Sequence, residues 1–342
     1  MNAIRRAATA AAILGTAAAT TLSAAPAQAQ IPAQPQTQVQ PHAADPYSAF
    51  VFTLGKTEPA IYTFINSATT SLNMTMYELN DTTAINDLVA REKAGVTVRV
   101  ILDEANKSTN AAAYKTLKAA GVGVVYSSTS FTYTHQKTIT VNNDKSLILT
   151  GNLTSEYYTT SRDYGVYDND AKDVAAITAV FNDDYKHKSI TPSDGDNLLW
   201  SPTTAQSRLV TFIDGATKTL DVEEEEFSDT AVVNAIVARA KAGVKVRIVV
   251  EDPSDYSSEI AEVKAAGGSV VGYSSTTGFY IHAKVMVADY GLATAKVEVG
   301  SMNDTSNSLE NNRELGIILA DSGVESTVET AFASDFAGGA KQ

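Results

Sequence analysis

Ala94-Gly95-Val96-Thr97-Val98-Arg99-Val100 returns as Ala242-Gly243-Val244-Lys245-Val246-Arg247-Ile248, 148 residues further along. A glycine that closes a helix, followed by apolar residues alternating with polar ones, is a helix-to-strand junction, here written twice. Outward from it, Ile65-Asn66-Ser67-Ala68-Thr69 recurs as Ile213-Asp214-Gly215-Ala216-Thr217 at the same offset. Lys118-Ala119-Ala120-Gly121 answers Lys264-Ala265-Ala266-Gly267 at 146, and Phe181 with Asp184 answers Phe332 with Asp335 at 151. A fixed long period that drifts slightly at loops is a duplicated domain.

Within each copy, Ile85, Leu88 and Val89, and likewise Val233, Ile236 and Val237, stand at helical spacing and read as core stripes. Strands are expected over 123–127, 135–142, 146–150 and 162–167, closed by a helix over 171–184. The second copy follows with strands over 270–273, 280–289, 297–301 and 313–319. The fold class is therefore α/β: two tandem repeats, 47–195 and 196–342, each a mixed β-sheet flanked by helices. The two are expected to pack about a pseudo-twofold axis.

Ahead of the repeats, residues 1–29 carry Arg5 and Arg6, then an Ala-rich apolar stretch and the small-residue site Ala27-Gln28-Ala29, the pattern of a cleaved export signal. Removal of those residues would leave 313 with a net charge of −15, against −13 for all 342. Residues 30–46, rich in Gln and Pro, read as a disordered linker. A secreted, extracellular location is the expectation. The chain has no cysteine, which excludes disulfides, thiolate zinc sites and thiol nucleophiles. Its acidity disfavours non-specific nucleic-acid binding, so no stable nucleic-acid partner is expected.

Of four histidines, His42, His135, His187 and His282, the second and fourth lie 147 apart and each has a lysine two positions on, Lys137 and Lys284. Side chains two apart on a strand share a face, so each copy offers an imidazole and an ammonium together. A satisfied core histidine explains neither the pairing nor the lysine beside it.

His135-Gln136-Lys137 and His282-Ala283-Lys284-Val285-Met286-Val287-Ala288-Asp289 resemble the paired HxKxxxxD motifs of the phospholipase D superfamily. Gly300-Ser301-Met302-Asn303 and Asn312-Arg313-Glu314-Leu315-Gly316 resemble its GSxN and NRE segments, with Gly151-Asn152-Leu153-Thr154 and Ser161-Arg162-Asp163-Tyr164-Gly165 as the first-copy equivalents. The first copy departs from the pattern at Asn142, Thr154 and Asp163, where the family has Asp, Asn and often Glu.

The resemblance implies one shared active site and a two-step displacement on a phosphodiester. One histidine becomes a phosphohistidine while the other protonates the leaving alkoxide; by analogy His135 is the nucleophile and His282 the acid. Lys137 and Lys284 would hold the phosphate oxygens, helped by Asn303, Thr154, Ser301 and Asn152. Two lysines make a metal or other cofactor unnecessary, and none is expected. Asp163, 28 residues after His135, and Glu314, 32 after His282, are placed to orient each imidazole. The alternative for them is a surface pair with Arg162 or Arg313. Asp289 completes the motif's catalytic set.

The run from Glu223 to Glu226 reads as a solvated strand end, with only Glu226 and its partner at 148, Glu78, facing the site. Tyr126, Phe131, Tyr133, Tyr273, Phe279 and Tyr280 precede the histidine segments and fit either a site mouth or ordinary strand packing. The function expected is a secreted phospholipase D acting on phosphatidylcholine-like lipids as a monomer, with transphosphatidylation as a second outcome. The alternatives are a secreted nuclease, with Lys56, Lys115, Lys118, Lys186 and Lys188 as candidate groove residues, and a non-catalytic binding protein.

Overall fold

A computed structural model describes residues 46–53, 55–274 and 278–342; the leader and all of the linker but Pro46 lie outside the described residues. The first repeat runs β1 (Tyr47–Val51), α1 (Thr57–Asn66), β2 (Ser71–Met76), α2 (Thr82–Lys93), β3 (Thr97–Leu102), α3 (Lys107–Ala119), β4 (Gly123–Tyr126), β5 (Thr138–Val141), β6 (Lys145–Leu149), β7 (Ser161–Arg162), β8 (Tyr164–Asp168) and α4 (Ala171–Asp184). The second runs β9 (Leu198–Ser201), α5 (Ala205–Asp214), β10 (Thr219–Glu224), α6 (Thr230–Lys241), β11 (Lys245–Glu251), a 3₁₀ turn, α7 (Ser257–Ala265), β12 (Ser269–Tyr273), β13 (Tyr280–Ile281), β14 (Lys284–Ala288), β15 (Lys296–Gly300), α8 (Ser306–Glu310), β16 (Glu314–Leu319), α9 (Ser322–Gly338) and β17 (Ala340–Lys341).

The sheets have the same strand order. One is β1-β8-β6-β5-β2-β3-β4; the other is β9-β16-β15-β14-β10-β11-β12 with β17 added at its edge. In each, the β2-β3-β4 or β10-β11-β12 strands are parallel and the rest antiparallel.

Local chemistry explains the repeated unit. Asp81 and Asp229 cap α2 and α6 by accepting from the first-turn amides. Gly95 and Gly243 end those helices at φ +90° and +87°, a left-handed turn in which the Val96 and Val244 amides reach back to the Arg91 and Arg239 carbonyls.

Each sheet buries one face under its own helices, including Ile61, Leu72, Leu88 and Val100 in the first repeat and Leu209, Leu220, Ile236 and Ile248 in the second. The other faces meet. Tyr164, Ile148, Val166 and Ile177 pack in one cluster with Trp200, Val249, Val285, Val299 and Phe332, so the repeats share a core. Full burial of a side chain of this size contributes about 1.5–3 kcal/mol.

Symmetric ion pairs cross that contact. Arg162 meets Asp335 and Arg313 meets Asp184, and all four are substantially buried. Phe279 lies under the Arg162 guanidinium and Phe131 under that of Arg313, so these two aromatic residues clamp the interface.

Candidate active site

The strands expected over 135–142 and 280–289 are interrupted where the chemistry lies. His135, Gln136 and Lys137 precede β5, and His282 and Ala283 separate β13 from β14. The interruption has a cause: the His135 and Gln136 amides donate to the Arg313 carbonyl, and the His282 amide donates to that of Arg162. The short strand β13 pairs in parallel with β7 of the other repeat, and Thr134 bridges Arg313 in the matching place. Each histidine segment is thus turned out of its own sheet and fastened to the opposite repeat.

The carboxylates cross in the same way. His135 Nδ1 lies 2.8 Å from Glu314 and His282 Nδ1 lies 2.7 Å from Asp163. Pairing inside each copy, which the sequence spacing suggests, is therefore corrected: each imidazole is oriented by the other repeat. Arg162 and Arg313 are engaged by Asp335 and Asp184, so neither Asp163 nor Glu314 is a surface partner of an arginine.

Both carboxylates are fully committed. Glu314 accepts from His135 and Ser301 on one oxygen and from Ser308 and Asn312 on the other. Asp163 accepts from His282, Thr150 and Ser161. Burial pushes both pKa values up, but the paired histidines and the neighbouring lysines outweigh it and hold both below the ordinary range.

Lys137 and Lys284 are almost wholly buried, and each Nζ donates to the carbonyl of its own histidine at 2.7 Å. Burial and the nearby Lys284 lower the Lys137 pKa to about 7. His135 is lowered by burial to about 4, despite Glu314.

The matched hydrogen bonds of the two repeats correct the equivalence around the GSxN segment. Thr150 does for Asp163 and the Tyr164 amide what Ser301 does for Glu314 and the Leu315 amide. Leu153 bridges Leu79 as Asp304 bridges Phe227. Asn152, not Thr154, therefore corresponds to Asn303, and the first copy lacks nothing there. The Oδ1 atoms of both asparagines are buried without a partner. Ser301, expected on the phosphate, stands behind His135 as a ligand of Glu314. Thr154 is buried and its carbonyl closes a turn with Tyr157.

Asp289 is also placed elsewhere. It follows β14, about 16 Å along the strand from Lys284, and accepts from the Thr217, Lys218 and Thr219 amides and from the Thr217 and Thr294 hydroxyls. Asn142 does the same to Thr69 and Thr70, at the same left-handed φ of 55–56°. The motif's last residue ties a turn, which an amide can do as well as a carboxylate.

The acidic run is not solvated. Glu223 and Glu224 are buried because β10 is an inner strand covered on both sides; Glu223 accepts from the Tyr164 hydroxyl. Glu225, unforeseen, holds Lys284 Nζ at 2.7 Å, lies 3.5 Å from His282 Nε2 and accepts from the Tyr280 hydroxyl. Its pKa is well below the ordinary range, since His282 and Lys284 outweigh the opposing effect of burial. Its counterpart at 148 is Tyr77, whose ring packs edge-on against His135 at 4.4 Å and lies 4.9 Å from Lys137 Nζ. The only trace in the sequence is this change of residue type at one repeat position. Glu78 and Glu226 flank the same region, Glu78 within electrostatic reach of Lys137 and His282, and Glu226 hydrogen-bonded by Asn303.

Among solved structures, phosphatidylserine synthase from Haemophilus influenzae Rd KW20 is similar over 87% of this chain and 87% of that one, with 12% identity and a TM-score of 0.67. Polyphosphate kinase from Porphyromonas gingivalis is similar over 84% of this chain, at 14% identity and a TM-score of 0.65; this chain spans half of that one. These likenesses concern the fold. No curated protein sequence matches. The family model described as cardiolipin synthase, PLD-like domain matches twice, over residues 61–185 and 209–336, one match in each repeat. With two such domains joined across one set of crossed histidine–carboxylate pairs, the chain belongs to the PLD-like domain family.

Proposed function

We propose that the protein is a phospholipase D that cleaves the head-group ester of phosphatidylcholine-like lipids through a phosphohistidine on His135. The observation that carries this reading is the crossed pairing: both imidazoles are held through Nδ1 by a carboxylate, which leaves each Nε2 for chemistry.

In the first step, His135 Nε2 attacks phosphorus. A P–N bond forms, the P–O bond to the head group breaks, and His282 gives its Nε2 proton to the leaving oxygen. In the second step, His282 takes a proton from water, whose oxygen attacks phosphorus and breaks the P–N bond. Phosphatidic acid leaves and both histidines return to their starting states. An alcohol in the place of that water gives transphosphatidylation. Lys137 and Lys284 neutralise the charge that grows on the non-bridging oxygens.

Choline release from phosphatidylcholine vesicles in EDTA tests the reading. The wild-type protein should release choline, and His135→Ala and His282→Ala should each lose at least about 10³-fold. A folded wild type that releases none, while cleaving single-stranded DNA or another diester, would move the assignment to that substrate.

A further inference from the structure

We propose that Glu225, with the rings of Tyr280 and Tyr157, forms a subsite for a cationic leaving group, so that the preferred diester carries an ammonium beside the scissile ester. This deepens the reading above and rests on it for one point, that the leaving group departs on the His282 side.

At one matched position the two halves of the site differ in charge. Tyr77 gives the first repeat an uncharged ring beside His135, whereas Glu225 gives the second a carboxylate beside His282. Glu225 is bonded to Lys284, the cation a phosphate oxygen needs. When phosphate takes Lys284, the carboxylate loses its principal partner inside a largely dry site, at a cost unless another cation replaces it.

The head group can supply that cation. The leaving oxygen must come within hydrogen-bond reach of His282 Nε2, and Glu225 lies 3.5 Å from that atom. An ammonium two carbons beyond the oxygen is three bonds of about 1.5 Å away, hence about 3–4 Å from it, a separation that reaches Glu225.

The aromatic surroundings fit the same group. The Tyr280 ring packs 5.3 Å from His282 and its hydroxyl fixes Glu225, while the Tyr157 ring, 44% exposed, stands edge-on to it at 6.5 Å. Ring faces beside a carboxylate suit a quaternary ammonium, which attracts both and needs no hydrogen-bond acceptor.

Charge is also layered across the site. The lysines lie at the bottom with almost no exposure, and Glu78, Glu225 and Glu226 stand around them. A zwitterion with phosphate inward and ammonium outward matches both layers. A polyanion would bring further phosphates against the carboxylates.

The test compares phosphocholine with its uncharged isostere 3,3-dimethylbutyl phosphate by titration calorimetry, which needs no turnover. The two have the same phosphate and nearly the same shape. Wild-type protein should bind phosphocholine about 10-fold or more tightly than the isostere, and in Glu225→Gln that ratio should fall to within about 3-fold. Equal binding by the wild type, or a ratio kept in Glu225→Gln, overturns the proposal. Should that variant not fold, nuclear Overhauser contacts from the choline methyl protons in the wild-type complex decide. Contacts to the Tyr280 and Tyr157 rings support the subsite, and their absence rejects it. Loss of lipid hydrolysis with the ratio intact would count against the proposed function alone.

Discussion

At the scale of single residues, the site is defined by where its protons reside. The proposed attack by His135 requires a neutral imidazole, and its pKa of about 4 makes it so over most of the pH range. Lys137 must be charged, and its pKa of about 7 sets the upper limit. The pH profile of kcat/KM should therefore be a bell with limbs near 4 and 7, and a plateau persisting to pH 10 would contradict the assignment. Asp289 makes a contrasting case. Its carboxyl is held at about 2 by the Thr217–Thr219 turn, so its contribution to stability is complete above the unfolded carboxyl range and is lost as pH falls towards 2. Because Asn142 already serves the first repeat, Asp289→Asn should cost only about 1–2 kcal/mol in urea unfolding at pH 7, with turnover changed by no more than a few fold. The sequence made His135, Lys137, His282 and Lys284 legible, since two short patterns in register are hard to mistake. Asn152 was displaced by two positions because Gly151 offers a false match to Gly300; the Thr150 and Ser301 hydrogen bonds and the Leu153 and Asp304 bridges fix the register.

At the scale of elements, what matters is that the repeats exchange their supports. Helix α4 and strand β8 were readable from periodicity, and the structure places α4 at Ala171–Asp184 as expected. The crossing was not readable, because spacing within a chain carries no information about which repeat a side chain faces. His135 on Glu314 and Arg162 on Asp335 are consequences of packing two inner sheet faces together. The ion pairs are accordingly sensitive to removal of one partner. Arg162→Met leaves Asp335 charged and buried and should cost about 3–5 kcal/mol in urea unfolding, whereas Arg162→Met with Asp335→Leu should recover most of it. Equal losses in the single and double variants would show that the pair does not act as a unit. The acidic run misled for a related reason: position in a strand does not say whether that strand is inner or edge, and β10 is inner.

At the scale of the whole molecule, many carboxyls are buried in a protein of net charge −13. Burial raises Glu224, Glu298 and Asp304 well above the ordinary range and Asp168 to about 7. Such groups bind protons more tightly folded than unfolded, so stability declines as pH rises from about 4 through the raised values. The thermal midpoint should be higher at pH 6 than at pH 8.5; a midpoint that rises with pH would contradict this burial. Among the described residues no helix is long and apolar enough to cross a membrane. If both repeats build one site in which His135 takes the phosphoryl group and His282 moves the proton, a phosphatidyl p-nitrophenyl ester, whose leaving group needs no acid, should separate the two roles in His282→Ala. That variant should give a burst of one p-nitrophenol per protein, no further turnover, and a phosphatidyl mass gain on the peptide that contains His135. An adduct on another residue, or continued turnover without His282, would contradict that division of roles.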